Sequence, residues 1–208
     1  MYKHIIWDFD GTLFDSYPVM ANAYKKALAE INIHESLEDL LMLMKISVTH
    51  LIDYSKEKYG IDQAFINRFD QYRLEMEAKD LVPFSYADEL CKKIHLNGQK
   101  NYLYTHRDQS AIAMLKSFEM IHYFSDFIIM EDNFKRKPYP DALLHLLTKY
   151  QIDPTDAIMI GDREIDILAA KNAGIASCFY SDIKAMKCDI ADFSVSDFKQ
   201  LEDLLLSI

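Results

Sequence analysis

Turn-forming residues are scarce in this 208-residue chain, which has five glycines and five prolines. So few chain breakers exclude a collagen-like, low-complexity or linker-rich composition, and no internal repeat is present. Cysteine is scarce as well. Cys91, Cys178 and Cys188 are odd in number and lack the paired spacing of a zinc site or a disulfide framework. Cys178 falls in an apolar run, Ile175 to Tyr180, and reads as a core thiol. Positive charge is in deficit, with 23 Lys and Arg against 33 Asp and Glu and a net charge of −10. That balance argues against a nucleic-acid backbone or an anionic membrane as partner. No stretch approaches the ~18 consecutive apolar residues of a membrane helix. The N-terminal residues have neither the basic region nor the long apolar core of a secretory signal. A reduced, cytoplasmic protein is expected.

Hydrophobic residues make up 50% of the chain, enough for a substantial core. The most informative stretch is His4-Ile5-Ile6-Trp7-Asp8-Phe9-Asp10-Gly11-Thr12. Ile5, Ile6 and Trp7 predict a short buried strand. It stops in two carboxylates, and Gly11 turns the chain. Two ionised aspartates at the end of a buried strand repel each other and lose hydration. A divalent metal is the simplest compensation, and oxygen-only ligands suit Mg²⁺. Asp8 and Asp10 are two apart, so on an extended chain they share a side. One is suited to attack or ligation while the other handles a proton. The ordinary alternative is turn chemistry, because aspartates often precede a glycine.

Farther along, the pattern predicts helices over 18–31, 47–58 and 62–78, with Tyr59-Gly60 as a break. Ser36-x-x-Asp39 has the form of a capping box before Leu40, Leu41 and Leu43. No strand is expected between 16 and 82. After Pro83 the rhythm changes. Ser85-x-x-Asp88 predicts a helix to about Leu96. Strands follow at 101–104, 126–130, 157–160, 175–180 and 193–195. Helices are expected over 109–118 and 141–150, from about Asp166, and over 197–207. This alternation predicts an α/β fold with a doubly wound parallel sheet. The expected domains are a core of 1–15 and 83–208 and an all-helical insertion of 16–82. Ligands in such sheets bind beyond the carboxyl ends of the strands, where Asp8, Thr105 and Asp162 are expected.

Four segments in order resemble the motifs of the haloacid dehalogenase superfamily, in the phosphoglycolate-phosphatase-like branch with a helical cap. They are Asp8-Phe9-Asp10-Gly11-Thr12-Leu13-Phe14-Asp15-Ser16, the strand ending in Thr105, Lys137-Pro138-Tyr139-Pro140-Asp141, and Gly161-Asp162-Arg163-Glu164-Ile165-Asp166. The resemblance covers essentially the whole chain and makes the helical insertion a cap. His106 stands where the family often has Asn, and Arg163 where a small polar residue is common.

The resemblance implies a phosphomonoester hydrolase of the EC 3.1.3 class acting on a small phosphorylated metabolite with Mg²⁺. Asp8 would be the nucleophile, forming an aspartyl-phosphate, and Asp10 the general acid and base. Asp8, Asp162, Asp166 and Asp10, the last through its carbonyl, would hold the metal. Thr105, His106 and Lys137 would bind the phosphate, Thr105 by its hydroxyl and Lys137 as a point charge. Ordinary readings stand beside these: a solvated loop lysine for Lys137, a helix cap for Asp162, first-turn helix charge for Asp166, a plain strand residue for Thr105, and scaffold or rim positions for His106 and Arg107. A phosphomutase of the same family would share every core residue. A non-catalytic sensor of phosphorylated ligands would lack a nucleophile or metal residue, and none is missing. The sequence leaves substrate identity and oligomeric state open.

Overall fold

The computed structural model describes residues 1–183 and 186–206. They form two compact units, one of Phe14–Val82 and one of Met1–Leu13 with the described residues from Pro83 onward.

The Phe14–Val82 unit is helical. It contains α1 (Tyr17–Glu30), α2 (Leu37–Ile46), α3 (Val48–Tyr59) and α4 (Gln63–Asp80). Side-chain caps start three of them: Ser36, Ser47 and Asp62 accept the backbone N–H groups of Asp39, His50 and Phe65. These oxygens satisfy donors that a helix start otherwise leaves open. Gly60 ends α3 at φ 68°, a left-handed conformation that costs glycine little. The core is apolar and aromatic. Tyr24 of α1 meets Phe65 and Phe69 of α4 edge-on, at 5.2 and 5.0 Å between ring centroids. Leu28, Leu40, Met44 and Leu51 complete it.

The other unit is a six-stranded, wholly parallel sheet in the order β3-β2-β1-β4-β5-β6. Its strands are β1 (His4–Trp7), β2 (Lys100–Tyr104), β3 (Phe124–Ile128), β4 (Ala157–Gly161), β5 (Ala176–Tyr180) and β6 (Phe193–Val195). Helices α5 (Ala87–Leu96), α6 (Ser110–Ser117), α7 (Asp141–Lys149), α8 (Glu164–Ala173) and α9 (Phe198–Leu206) connect and cover them.

Strand alternation assigns the layers. Ile6, Tyr102, Tyr104, Ala157 and Met159 pack with α7 and α8 on one face. On the other, Trp7 stacks on Phe198 of α9 at 6.3 Å. Asn101 donates to the Cys91 carbonyl of α5 at 2.9 Å and to the Tyr123 carbonyl at 3.1 Å, and accepts from Trp7 Nε1 at 2.9 Å. Asn101 is thus a fully satisfied polar group inside an apolar layer. Asn101→Ala leaves the buried Trp7 N–H without its acceptor and takes one donor each from the Cys91 and Tyr123 carbonyls, so we expect a loss of about 3 kcal/mol of unfolding free energy. Urea titration checks it, and a loss below about 1 kcal/mol would contradict it.

Most element ends shift by a residue or two from the sequence expectation, and four of them have structural content. β3 starts at Phe124, two residues early, because a register shift between Asn101 and Tyr102 lets the polar pair Ser125 and Asp126 enter an edge strand. Helix α8 starts at Glu164, and Asp166 lies within its first turn, accepting the Arg163 N–H at 3.1 Å. Helix α5 starts after Tyr86, not at Ser85. Tyr86 has φ 73° and donates to Glu202 on α9 at 2.8 Å. The final helix, expected to reach Ser207, runs to Leu206, and residue 207 lies outside the described residues.

Candidate active site

The strand order reverses around β1, which lies between β2 and β4. Three segments therefore leave the carboxyl edge side by side: Asp8-Phe9-Asp10 after β1, Thr105-His106-Arg107 after β2, and Asp162 after β4. Asp8 continues the Ile6 side of β1 toward α7 and α8. There it meets Lys137, from the loop before α7, and Asp166 of α8. Lys137 Nζ lies 2.8 Å from Asp8 Oδ1 and 2.7 Å from Asp166 Oδ1, with all three side chains almost wholly buried.

One lysine between two buried carboxylates leaves an excess of negative charge. Burial first, then the repulsion of Asp166, raise the Asp8 carboxyl to about 6, against the pull of Lys137 and Arg163. Burial depresses the Lys137 ammonium, but Asp166 and Asp8 outweigh it and hold the group above its ordinary value. Asp8 Oδ2 is buried and has no hydrogen-bond partner among the described residues. Carboxylate oxygens of Asp8, Asp162 and Asp166 all lie within 4.8 Å of one another. An orphaned oxygen at the meeting point of three carboxylates, with no nitrogen or sulfur donor in the set, suits a hard divalent cation. Asp162 also accepts from Thr12 Oγ1 at 3.5 Å.

Asp10 lies apart from that trio. Its two carboxylate oxygens each accept from Arg107 Nε at 2.8 Å, and Arg107 Nη2 lies 2.7 Å from Oδ1. The guanidinium is buried and sits 5.1 Å from the centroid of the Phe9 ring. Thr105 extends the β2–β3 ladder by one bond, its N–H reaching the Ile128 carbonyl at 3.0 Å. Its hydroxyl oxygen accepts the Arg107 N–H at 3.1 Å. His106 Nε2 accepts the Lys137 N–H at 3.0 Å.

The residues chosen from sequence therefore lie in one unit, Asp8, Asp10, Thr105, His106 and Asp162 just after adjacent strands, Lys137 on the loop before α7 and Asp166 in the first turn of α8. The sequence gives Arg107 an ordinary reading as a scaffold or rim residue and does not reveal its grip on Asp10. A cation two residues after Thr105, in the loop that follows the strand beside β1, is the available signal. Nor does the sequence reveal the steric role of Gly161. A Cβ there would lie 2.3 Å from Asp166 Cβ and 2.6 Å from Oδ2.

A family model described as haloacid dehalogenase-like hydrolase matches residues 5–180, most of the chain and all of these positions. The chain belongs to the haloacid dehalogenase-like hydrolases. A phosphoglycolate phosphatase from Vibrio vulnificus is 30% identical over 221 residues, covering 98% of this chain and 96% of that protein. A relative from Clostridium perfringens with a pyrophosphatase name is 27% identical, covering 86% and 83%. A solved hydrolase from Streptococcus pneumoniae superposes with a TM-score of 0.71 at 26% identity, covering 97% and 98%. This places the chain in the phosphatase branch of the family.

Within this haloacid dehalogenase-like hydrolase, Gly161 lets α8 approach the end of β4 closely enough to bring Asp166 to the trio. Gly161→Ala forces that carboxylate aside. We expect about a 100-fold fall in kcat/KM with p-nitrophenyl phosphate, since displacements near 1 Å at a reacting centre cost that much. Unchanged kinetics would show that the Asp166 position does not matter.

Proposed function

We propose that this chain is a magnesium-dependent phosphomonoesterase that hydrolyses a small phosphorylated metabolite through an aspartyl-phosphate on Asp8. The observation that carries this reading is the division of labour in one side chain. Asp8 Oδ1 is fixed by Lys137, while Oδ2 is buried without a partner at the open edge of the sheet.

In the first step Asp8 attacks phosphorus, the bond from phosphorus to the ester oxygen breaks, and Asp10 gives that oxygen a proton. In the second, Asp10 takes a proton from water as the water oxygen attacks phosphorus, and Asp8 is released with inorganic phosphate. Lys137 offers positive charge to the transferring oxygens, and the Thr105 hydroxyl donates to one of them. Arg107 orients Asp10 through its fork. Asp8, Asp162 and Asp166, with the Asp10 carbonyl, are the proposed magnesium ligands; magnesium bound there would offset the charge of these carboxylates and of the phosphate. The helical unit Phe14–Val82 is assigned the cap and the choice of substrate. Among the described residues no helix is long and apolar enough to cross a membrane, and action on a metabolite of the cytoplasm is part of this reading.

The relatives' names make phosphoglycolate and pyrophosphate the first compounds to try. The test is a panel of phosphorylated metabolites, including both of these, with Mg²⁺ and an Asp8→Asn control. Phosphate release by the wild type alone supports the proposal. Equal, slow release by both proteins rejects it in favour of a sensor, and isomerised hexose phosphate without net release would mark a mutase.

A further inference from the structure

Lys137 lies on a loop, in a stretch with neither helix nor strand, yet its ammonium is buried. Such a loop lacks the ladder bonds that fix strand and helix residues, and the ion pairs with Asp8 and Asp166 hold only the tip of a side chain with four rotatable bonds. Something else must place its backbone. His106, just after β2, holds that backbone, and Tyr104, the last residue of β2, flanks the ammonium. Alternation sends Tyr104 to the α7–α8 face, where Lys137 Nζ lies 4.5 Å from its ring centroid. Two positions on, His106 Nε2 accepts the Lys137 N–H at 3.0 Å. The two rings meet nearly edge to face, with centroids 6.3 Å apart. Burial, then the cations Lys137, Arg136 and Arg163, push the His106 imidazole down to about 3. The ring is therefore neutral, and the lone pair on Nε2 stays available. The Tyr104 hydroxyl is buried with no hydrogen-bond partner among the described residues, so the contribution of Tyr104 is the face of its ring.

We propose that Tyr104 and His106 act as a two-point clamp on Lys137, the imidazole fixing its backbone and the phenol ring its ammonium, and that both are positioning residues for phosphoryl transfer. This rests on the reading of Lys137 as the charge that meets the phosphate. A lysine displaced from its line to Asp8 still attracts an anion but no longer neutralises charge where it develops.

The test compares His106→Ala with His106→Gln, which keeps an acceptor, and Tyr104→Leu with Tyr104→Phe, which keeps the ring. Lys137→Met is the reference. Steady-state kinetics use p-nitrophenyl phosphate and Mg²⁺, and the Lys137 amide is followed by ¹⁵N NMR. We expect His106→Ala and Tyr104→Leu to lower kcat about 10- to 100-fold with KM changed less than about 3-fold. The two conservative variants should stay within about 3-fold of wild type. The Lys137 amide proton should move upfield in His106→Ala and hold its position in His106→Gln. Inactive Lys137→Met beside fully active His106→Ala and Tyr104→Leu overturns the clamp and leaves the proposed function standing. An active Lys137→Met overturns that function itself. Equal losses in conservative and truncating variants reject the clamp in favour of tight packing. Should Tyr104→Leu fail to fold, the half-buried His106 pair and its amide signal decide alone.

Discussion

Asp8→Asn should lower kcat for p-nitrophenyl phosphate by a factor on the order of 10⁴ to 10⁶, while the protein stays folded. The magnitude follows from losing a nucleophile, which other groups cannot replace. The fold should survive because an amide oxygen at position 8 still accepts from Lys137, whose ammonium keeps Asp166 2.7 Å away. Removing one of two buried like charges also relieves the burial and repulsion that raise the Asp8 carboxyl. Circular dichroism and a melting curve alongside the kinetics separate the two effects. Activity within about tenfold of wild type would mean that Asp8 is not the attacking group.

Metal removal should be nearly as severe. Asp8, Asp10, Asp162 and Asp166 face two close cations, Lys137 and Arg107. Arg163 also pulls on Asp8, yet the carboxylates still outnumber these cations before a phosphate dianion arrives, and a divalent ion would reverse that balance. Excess EDTA should therefore reduce turnover below detection, and added Mg²⁺ should restore it. The same ion should stabilise the fold, because it binds the assembled carboxylates and not the unfolded chain. At 100 times its dissociation constant the gain is about 2.7 kcal/mol, read as a raised melting temperature. Asp162→Asn should remove most of that thermal response. Unchanged turnover in EDTA, or no thermal response to Mg²⁺, would count against a resident metal.

The order and type of the elements are legible because the central strands β1 and β4 read as apolar runs and the helices as periodic ones. The ends of those elements were less legible. Asp166 was expected to open a helix and instead folds back onto the Arg163 N–H, two residues inside it. Tyr86 in a left-handed conformation gives no local signal, since its hydroxyl contact with Glu202 spans 116 residues. Asp8, Asp10, Thr105 and Asp162 stand out by residue type and by their place after predicted strands, whereas Lys137 and Asp166 are named through the resemblance to the family motifs. Arg107, Tyr104 and Gly161 were passed over for one shared reason. Each matters through a neighbour on another segment: a carboxylate for Arg107, an ammonium for Tyr104, and the lack of a side chain for Gly161. Such roles depend on tertiary register, which one sequence does not display.

The chain leaves the sheet-bearing unit and returns to it at one doorway. Phe84 N–H donates to the Leu13 carbonyl at 2.9 Å, and just beyond, Asp15 N–H donates to the Val82 carbonyl at 3.1 Å. Seen from the sheet, the whole helical excursion is a detour between neighbouring backbone atoms, and its length costs little loop-closure entropy. Evolution has thereby been handed an exchangeable attachment: helices can be lengthened, traded or redecorated beyond that doorway while the carboxylate trio keeps its register.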